Sequence, residues 1–190
     1  MLTTLDEALN NLTESGMKIN LEKCQFGIEK LTYLGFELNK DGFKPDPINS
    51  EGITKVNYPS TLKGIRSFLG MTNFYRLLIP KFSQLLKPLT RLTCKGAWLG
   101  GDLPKDAKDA FEKCQKMFTS RPFLHYPDFN LTFHLFVDAS LGNLEEAKEG
   151  GLAGCLVQYP DNDTRQKPKP IGFCSRSLQA HEKKLFSTPN

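Results

Sequence analysis

Leu2, Leu5, Ala8, Leu9 and Leu12 recur at the interval of one helix face, and Gly16 supplies a stop. The period then changes. Residues 17–20 and 24–28 read as short strand-like pieces, and residues 31–38 run into Asn39-Lys40-Asp41-Gly42, whose Asp-Gly step is a strong hairpin signal. Together they predict a small antiparallel sheet over residues 17–45. Asp46 before Pro47 sets an N-cap and a first-turn proline for a helix ending near Val56; Tyr58-Pro59-Ser60 ends it and caps the next. That next helix carries Leu62, Ile65, Phe68 and Leu69, then Phe74, Tyr75 and Leu78, on its apolar side and breaks at Pro80. A short helix follows over residues 81–93, interrupted at Pro88. Trp98 packs near a loop at Gly100-Gly101, and residues 106–120 return to helical spacing with Ala107, Ala110, Phe111, Cys114 and Phe118 inward.

Beyond Leu131 the pattern becomes extended. Residues 131–137 alternate as a half-buried strand with Asp138-Ala139-Ser140 at its end, and the Glu-rich stretch 142–150 reads as a solvated loop. Residues 151–158 form a second strand, 160–170 a hairpin loop or linker, 171–174 a third strand, and 179–186 the start of a helix. The fold class is α+β: a small antiparallel sheet, a helical middle, then three strands, with helices giving way to strands between Arg121 and Asp128.

Charge changes this picture in one place. Between Gly52 and Gly101 stand eight basic residues, Lys55, Lys63, Arg66, Arg76, Lys81, Lys87, Arg91 and Lys95, and no Asp or Glu. The whole chain of 190 residues is only +4, so the remainder is net negative and the positive charge is concentrated. A polyanion is the partner such a block suits. Each cation alone also reads as surface charge on a packed helix; the block together reads as a binding surface. Five widely spaced cysteines, with no Cys-x-x-Cys pair, suggest neither a disulfide framework nor a zinc knuckle and read as reduced, mostly buried thiols of an intracellular protein. His125, His134 and His181 share no partner at ligand spacing. No leader is visible and no apolar run approaches the roughly 18 residues that span a bilayer. A helix starting at residue 2 and an end at Pro189-Asn190 suggest a chain cut at both ends, with a self-contained domain as the alternative.

Several motifs, in order, resemble the Pol polyprotein of gypsy-type LTR retrotransposons over nearly the whole chain. Gly16-Met17-Lys18-Ile19-Asn20-Leu21-Glu22-Lys23-Cys24-Gln25-Phe26 resembles the end of the family's polymerase palm. Tyr33-Leu34-Gly35-Phe36 resembles its primer-grip turn. Lys44-Pro45-Asp46-Pro47, then residues 62–83 from Leu62-Lys63-Gly64 to Pro80-Lys81-Phe82-Ser83, and Pro88-Leu89-Thr90-Arg91-Leu92 resemble its thumb region. Phe133-His134-Leu135-Phe136-Val137-Asp138-Ala139-Ser140 and Phe173-Cys174-Ser175-Arg176-Ser177-Leu178 resemble the first and third strands of its RNase H domain.

The resemblance implies residues 1–46 as the end of the palm, 47–122 as thumb and connection, and 123–190 as the first part of an RNase H-like domain. It implies Lys63, Arg66, Arg76, Lys81, Lys87 and Arg91 as phosphate contacts to an RNA–DNA hybrid or DNA duplex, Arg66 and Arg76 foremost. Tyr33, Leu34, Gly35 and Phe36 become primer-grip-like, and Asp138 the first RNase H carboxylate and a ligand of Mg²⁺ in the parent enzyme. The sequence holds no Asp-Asp pair, so it lacks the polymerase motif Tyr-x-Asp-Asp. One aspartate cannot organise two metal ions about 4 Å apart, so the chain alone is expected to be inactive. Glu145, Glu146 and Glu149 read as loop residues and not as substitutes. The reading is a fragment of a reverse transcriptase with RNase H, joined to the remainder of the Pol polyprotein, inside the cell and not at a membrane. The alternative is a non-catalytic nucleic-acid-binding module or a decayed product of such an element.

Overall fold

A computed structural model of the chain describes residues 2–120, 122–143, 148–178 and 182, with backbone alone at 141–143, 148 and 149. Helix α1 (Leu2–Glu14) forms on the predicted spacing yet buries none of its residues. The strands expected over 17–20 and 24–28 do not form. Residues 17–20 are irregular, and Leu21–Lys23 turns as a 3₁₀ helix behind Asn20, whose side chain accepts from the Glu22 amide. Alternation alone makes no strand; the backbone groups need a neighbouring ladder to pair with.

The first sheet begins later. It comprises β1 (Lys30–Tyr33), β2 (Phe36–Asn39), β3 (Gly42–Pro45) and, from far along the chain, β4 (Leu124–His125), antiparallel and in that order. Leu31, Leu38, Phe43 and Leu124 lie opposite one another across it, which makes one face apolar.

Asp46 caps α2 (Pro47–Thr54), accepting from the Ile48 amide, with Pro47 in the first turn as predicted. The cap of α3 (Leu62–Asn73) is Thr61 and not Ser60: its hydroxyl accepts from the Gly64 amide at 3.1 Å. A 3₁₀ turn at Arg76–Leu78 leads to α4 (Phe82–Leu85) and α5 (Lys87–Leu92). Pro88 lies in the first turn of α5, where its missing N–H removes no helical bond, so it starts a helix where an interruption was expected. Helix α6 (Lys105–Thr119) buries all five predicted residues. The main core gathers Ile65, Phe68, Leu89, Phe111 and Phe118, with Trp98 packed at its edge and the Phe68 and Phe111 rings 4.3 Å apart.

The second sheet runs β5 (His134–Asn143), β6 (Lys148–Gln158), β7 (Lys169–Ser177), all antiparallel. Strand β5 continues through Asp138, which pairs with Ala153 inside the ladder and does not sit in a turn after the strand. Glycine and asparagine at 142 and 143 pair with residues 149 and 148, so the stretch expected as a loop is partly hairpin. Residues 144–147, with Glu145 and Glu146, lie outside the described residues, as does the helix expected over 179–186 apart from Glu182. Cys114 is buried, but Cys94 and Cys174 are exposed, which corrects the expectation of mostly buried thiols.

Helix α4 and the residue before it join the helices to this sheet. The Ser83 amide donates to Ser175 Oγ at 2.8 Å and the Ser83 hydroxyl to the Ser175 carbonyl at 2.7 Å. Gln84 Nε2 donates to the Leu152 carbonyl at 3.3 Å, and Lys81 Nζ donates to Asp138 Oδ2 at 2.6 Å. Three residues of the four-residue span Lys81–Gln84 thus reach β5, β6 and β7. The approach is close because Asp138, Ala153 and Ser175 form a cross-strand row of small or polar residues. A Cβ on nearby Gly151 would collide with the Gln84 amide.

Candidate nucleic-acid interface

The acid-free block folds into a mixed surface. Acids from outside the block reach three of its cations: Glu51 pairs with Lys55, Asp106 with Arg91 at 3.0 Å, and Asp138 with Lys81. Lys87 is half-buried. Lys63, Arg66 and Arg76 remain exposed and form no ion pair among the described residues. Of the six cations singled out from the sequence, these three are the ones whose charge faces solvent without a carboxylate beside it.

They are not alone on that surface. Arg66, Gly70, Phe74 and Leu77 follow one another at three- to four-residue steps along α3 and the turn after it, and all are exposed. Phe74 is 54% exposed while its neighbour Tyr75 is 4% exposed. Two adjacent aromatics therefore have opposite fates: Tyr75 enters the core and Phe74 extends the basic face with an accessible ring. Helical spacing puts both aromatics on the apolar side, and only Tyr75 is buried there.

The Tyr33-Leu34-Gly35-Phe36 hairpin is held beside this face. Leu34 and Gly35 both take positive φ, 47° and 81°, the pattern of a two-residue turn matched to strand twist. Leu34 pays a steric cost of about 1 kcal/mol in that region and projects outward, 70% exposed. What fixes the turn is the Gly35 carbonyl, which accepts from the Asp46 amide at 3.0 Å and from the Tyr75 hydroxyl at 2.9 Å. Burial, with the Asp46 carboxylate nearby, pushes the Tyr75 phenol up, so it stays a donor. The Phe36 ring stacks on Phe74 at 5.2 Å. Thus α3 and the hairpin are one unit, with Tyr33 exposed at its rim.

Asp138 lies on β5, opposite Ala153. Its carboxylate meets the Lys81 ammonium, and Lys81 itself takes φ 52°. Among the described residues no group of three or more His, Cys, Asp or Glu side chains could hold a metal ion. Among the described residues Asp138 faces this one ammonium, and a divalent metal pair would need further carboxylates. The His125 Nδ1 lies 3.2 Å from the Asp41 carbonyl, and burial lowers its pKa. No helix of the described residues is long and apolar enough to cross a membrane.

Residues 103–188 match the family described as RNase H-like domain found in reverse transcriptase. The Pol polyprotein of Drosophila melanogaster transposon 297 is 34% identical over 188 residues, 95% of this chain. That of transposon gypsy, from the same species, is 30% identical over 191 residues, 94% of the chain. The chain is homologous to the reverse transcriptase and RNase H region of retrotransposon Pol polyproteins. It spans 16% and 17% of those two Pol proteins. Part of foamy viral protease-reverse transcriptase has the same fold. Its complex with RNA/DNA hybrid aligns at a TM-score of 0.72 and 23% identity, covering 96% of this chain and 23% of that one. Its complex with dsDNA gives 0.71, covering 36% of that chain. The α+β reading and the Pol resemblance both hold.

Proposed function

We propose that this chain is the nucleic-acid-gripping part of a retrotransposon reverse transcriptase with RNase H. In that reading residues 1–46 close the palm, 47–122 form thumb and connection, and 123–190 open the RNase H-like domain. The observation that carries it is the outer face of α3 and the turn after it, where Lys63, Arg66 and Arg76 stay exposed and form no ion pair among the described residues. Such a face holds an RNA–DNA hybrid or DNA duplex by its phosphates, independently of sequence. The anchored Leu34-Gly35 turn lies beside it as the primer-grip-like element. The foamy viral relatives of known structure, held with dsDNA and with RNA/DNA hybrid, support this choice of ligand. Any Mg²⁺ chemistry belongs to the longer Pol protein, inside the cell, and needs carboxylates beyond Asp138; the chain alone grips and does not cut.

Fluorescence anisotropy with a labelled RNA–DNA hybrid tests this. Affinity should fall steeply with salt, and Lys63→Glu with Arg66→Glu should weaken it about tenfold and lower the log K against log salt slope by about 0.9 per cation. Unchanged affinity would remove α3 as the binding surface. Cleavage of the RNA in Mg²⁺, abolished by Asp138→Asn, would contradict the assignment of a non-cutting chain.

A further inference from the structure

Where α3, α4 and α5 meet β7, the surface opens into a groove of about 700 Å³. Three cations line it: Arg76 and Lys87 from the helical part and Arg176 from the sheet. No acidic residue lines it among the described residues. Its apolar floor includes Leu69, Phe82 and Phe173. The groove straddles the junction made by Ser83 and Ser175, so an occupant touches helices and sheet at once.

We propose that this groove holds a single strand of nucleic acid, a few nucleotides long, alongside the duplex gripped by the face of α3 and sharing Arg76 with it. The inference rests on the reading of the chain as a nucleic-acid binder and adds where a single strand lies. Three lining cations suit a phosphodiester backbone, and an apolar floor that includes the Phe173 ring suits bases, the combination used by single-strand binders. The volume is that of a small-molecule site and suits a short strand. Arg176 is held by Glu182 through two bonds, at 2.7 and 2.6 Å, yet keeps 51% of its side chain exposed. It can therefore turn one N–H edge to a phosphate while Glu182 orients the other.

Cys174 lines the groove and is exposed, whereas Cys94 is exposed but does not line it. The test uses the whole chain and a labelled oligo-dT strand. Bound oligo-dT should slow maleimide labelling of Cys174 and leave that of Cys94 unchanged, a readout that needs no variant to fold. Arg76→Gln and Arg176→Gln should each lower the single-strand salt slope by about 0.7. Glu182→Gln, which releases Arg176, should tighten binding. An abasic strand of equal length should bind about tenfold more weakly, because stacking is lost. Equal labelling of Cys174 with and without oligo-dT, or an abasic strand binding as well as oligo-dT, overturns the groove assignment. If the hybrid still binds through Lys63 and Arg66 in that case, only the groove falls. If neither hybrid nor single strand binds, the nucleic-acid reading falls with it.

Discussion

Cys114 lies on the inward face of α6, and burial pushes its thiol up to about 12. In the unfolded chain a thiol ionises near its ordinary value of about 8.5. Between those two values the unfolded state has lost a proton that the folded state keeps. The associated stability is therefore whole below about pH 8.5 and falls as pH rises toward about 12. Tyr75, raised for the same reason, acts in the same direction. Cys114→Ala should flatten the alkaline limb of a Tm-against-pH curve, while leaving a modest loss of Tm at neutral pH from the vacated volume. An alkaline limb as steep as in the parent chain would assign that loss to other groups. The residue scale also shows where sequence reading stops. The charge block was plain, but which of its members are quenched depends on Asp106 and Asp138, acids 15 and 57 positions away from the cations they meet. Pairing at such separations leaves no local pattern.

Among the elements, β4 is the least obvious: two residues that close the first sheet from beyond α6. It packs against β3 at Gly42, where a Cβ would run into the Leu124 carbonyl. Backbone cannot step aside as a flexible side chain can, so Gly42→Ala should cost about 3 kcal/mol, read as a lower denaturant midpoint. A loss within about 0.5 kcal/mol would show that β4 pairs weakly or not at all. The long periodic elements were legible for a physical reason: α6 places apolar groups at five inward positions, a signal that one accidental residue cannot erase. Three neighbouring details were not. Ser60 and Thr61 offer the same hydroxyl for a cap, so the chain alone does not choose between them. Pro88 breaks or begins a helix according to what precedes it. Residues 17–28 alternate like strands, yet only pairing with a partner would make them so. The second sheet was read with its strands too short, because the polar stretch after Ser140 hid a ladder carried by backbone bonds.

For the whole molecule the decisive contact is the short span from Lys81 to Gln84 on the second sheet. Its parts differ in worth. The Lys81–Asp138 pair is exposed by 61% and 60%, so water screens it and Lys81→Ala should cost less than about 1 kcal/mol. Ser83 is half-buried and satisfies Ser175 twice, so Ser83→Ala, which strands the Ser175 carbonyl, should cost about 1–2 kcal/mol. Urea midpoints of the two variants settle the order; a larger loss from Lys81→Ala would make the ion pair the principal tie. The span also has a mechanical consequence. A sheet tied through a single strand can swing about that tie, but here the Ser83 bonds to β7 and the Gln84 bond to β6 resist the swing, and the screened pair on β5 adds little. A push on the outer face of α3 therefore has a short hydrogen-bonded route to the second sheet, through Ser83 and Gln84.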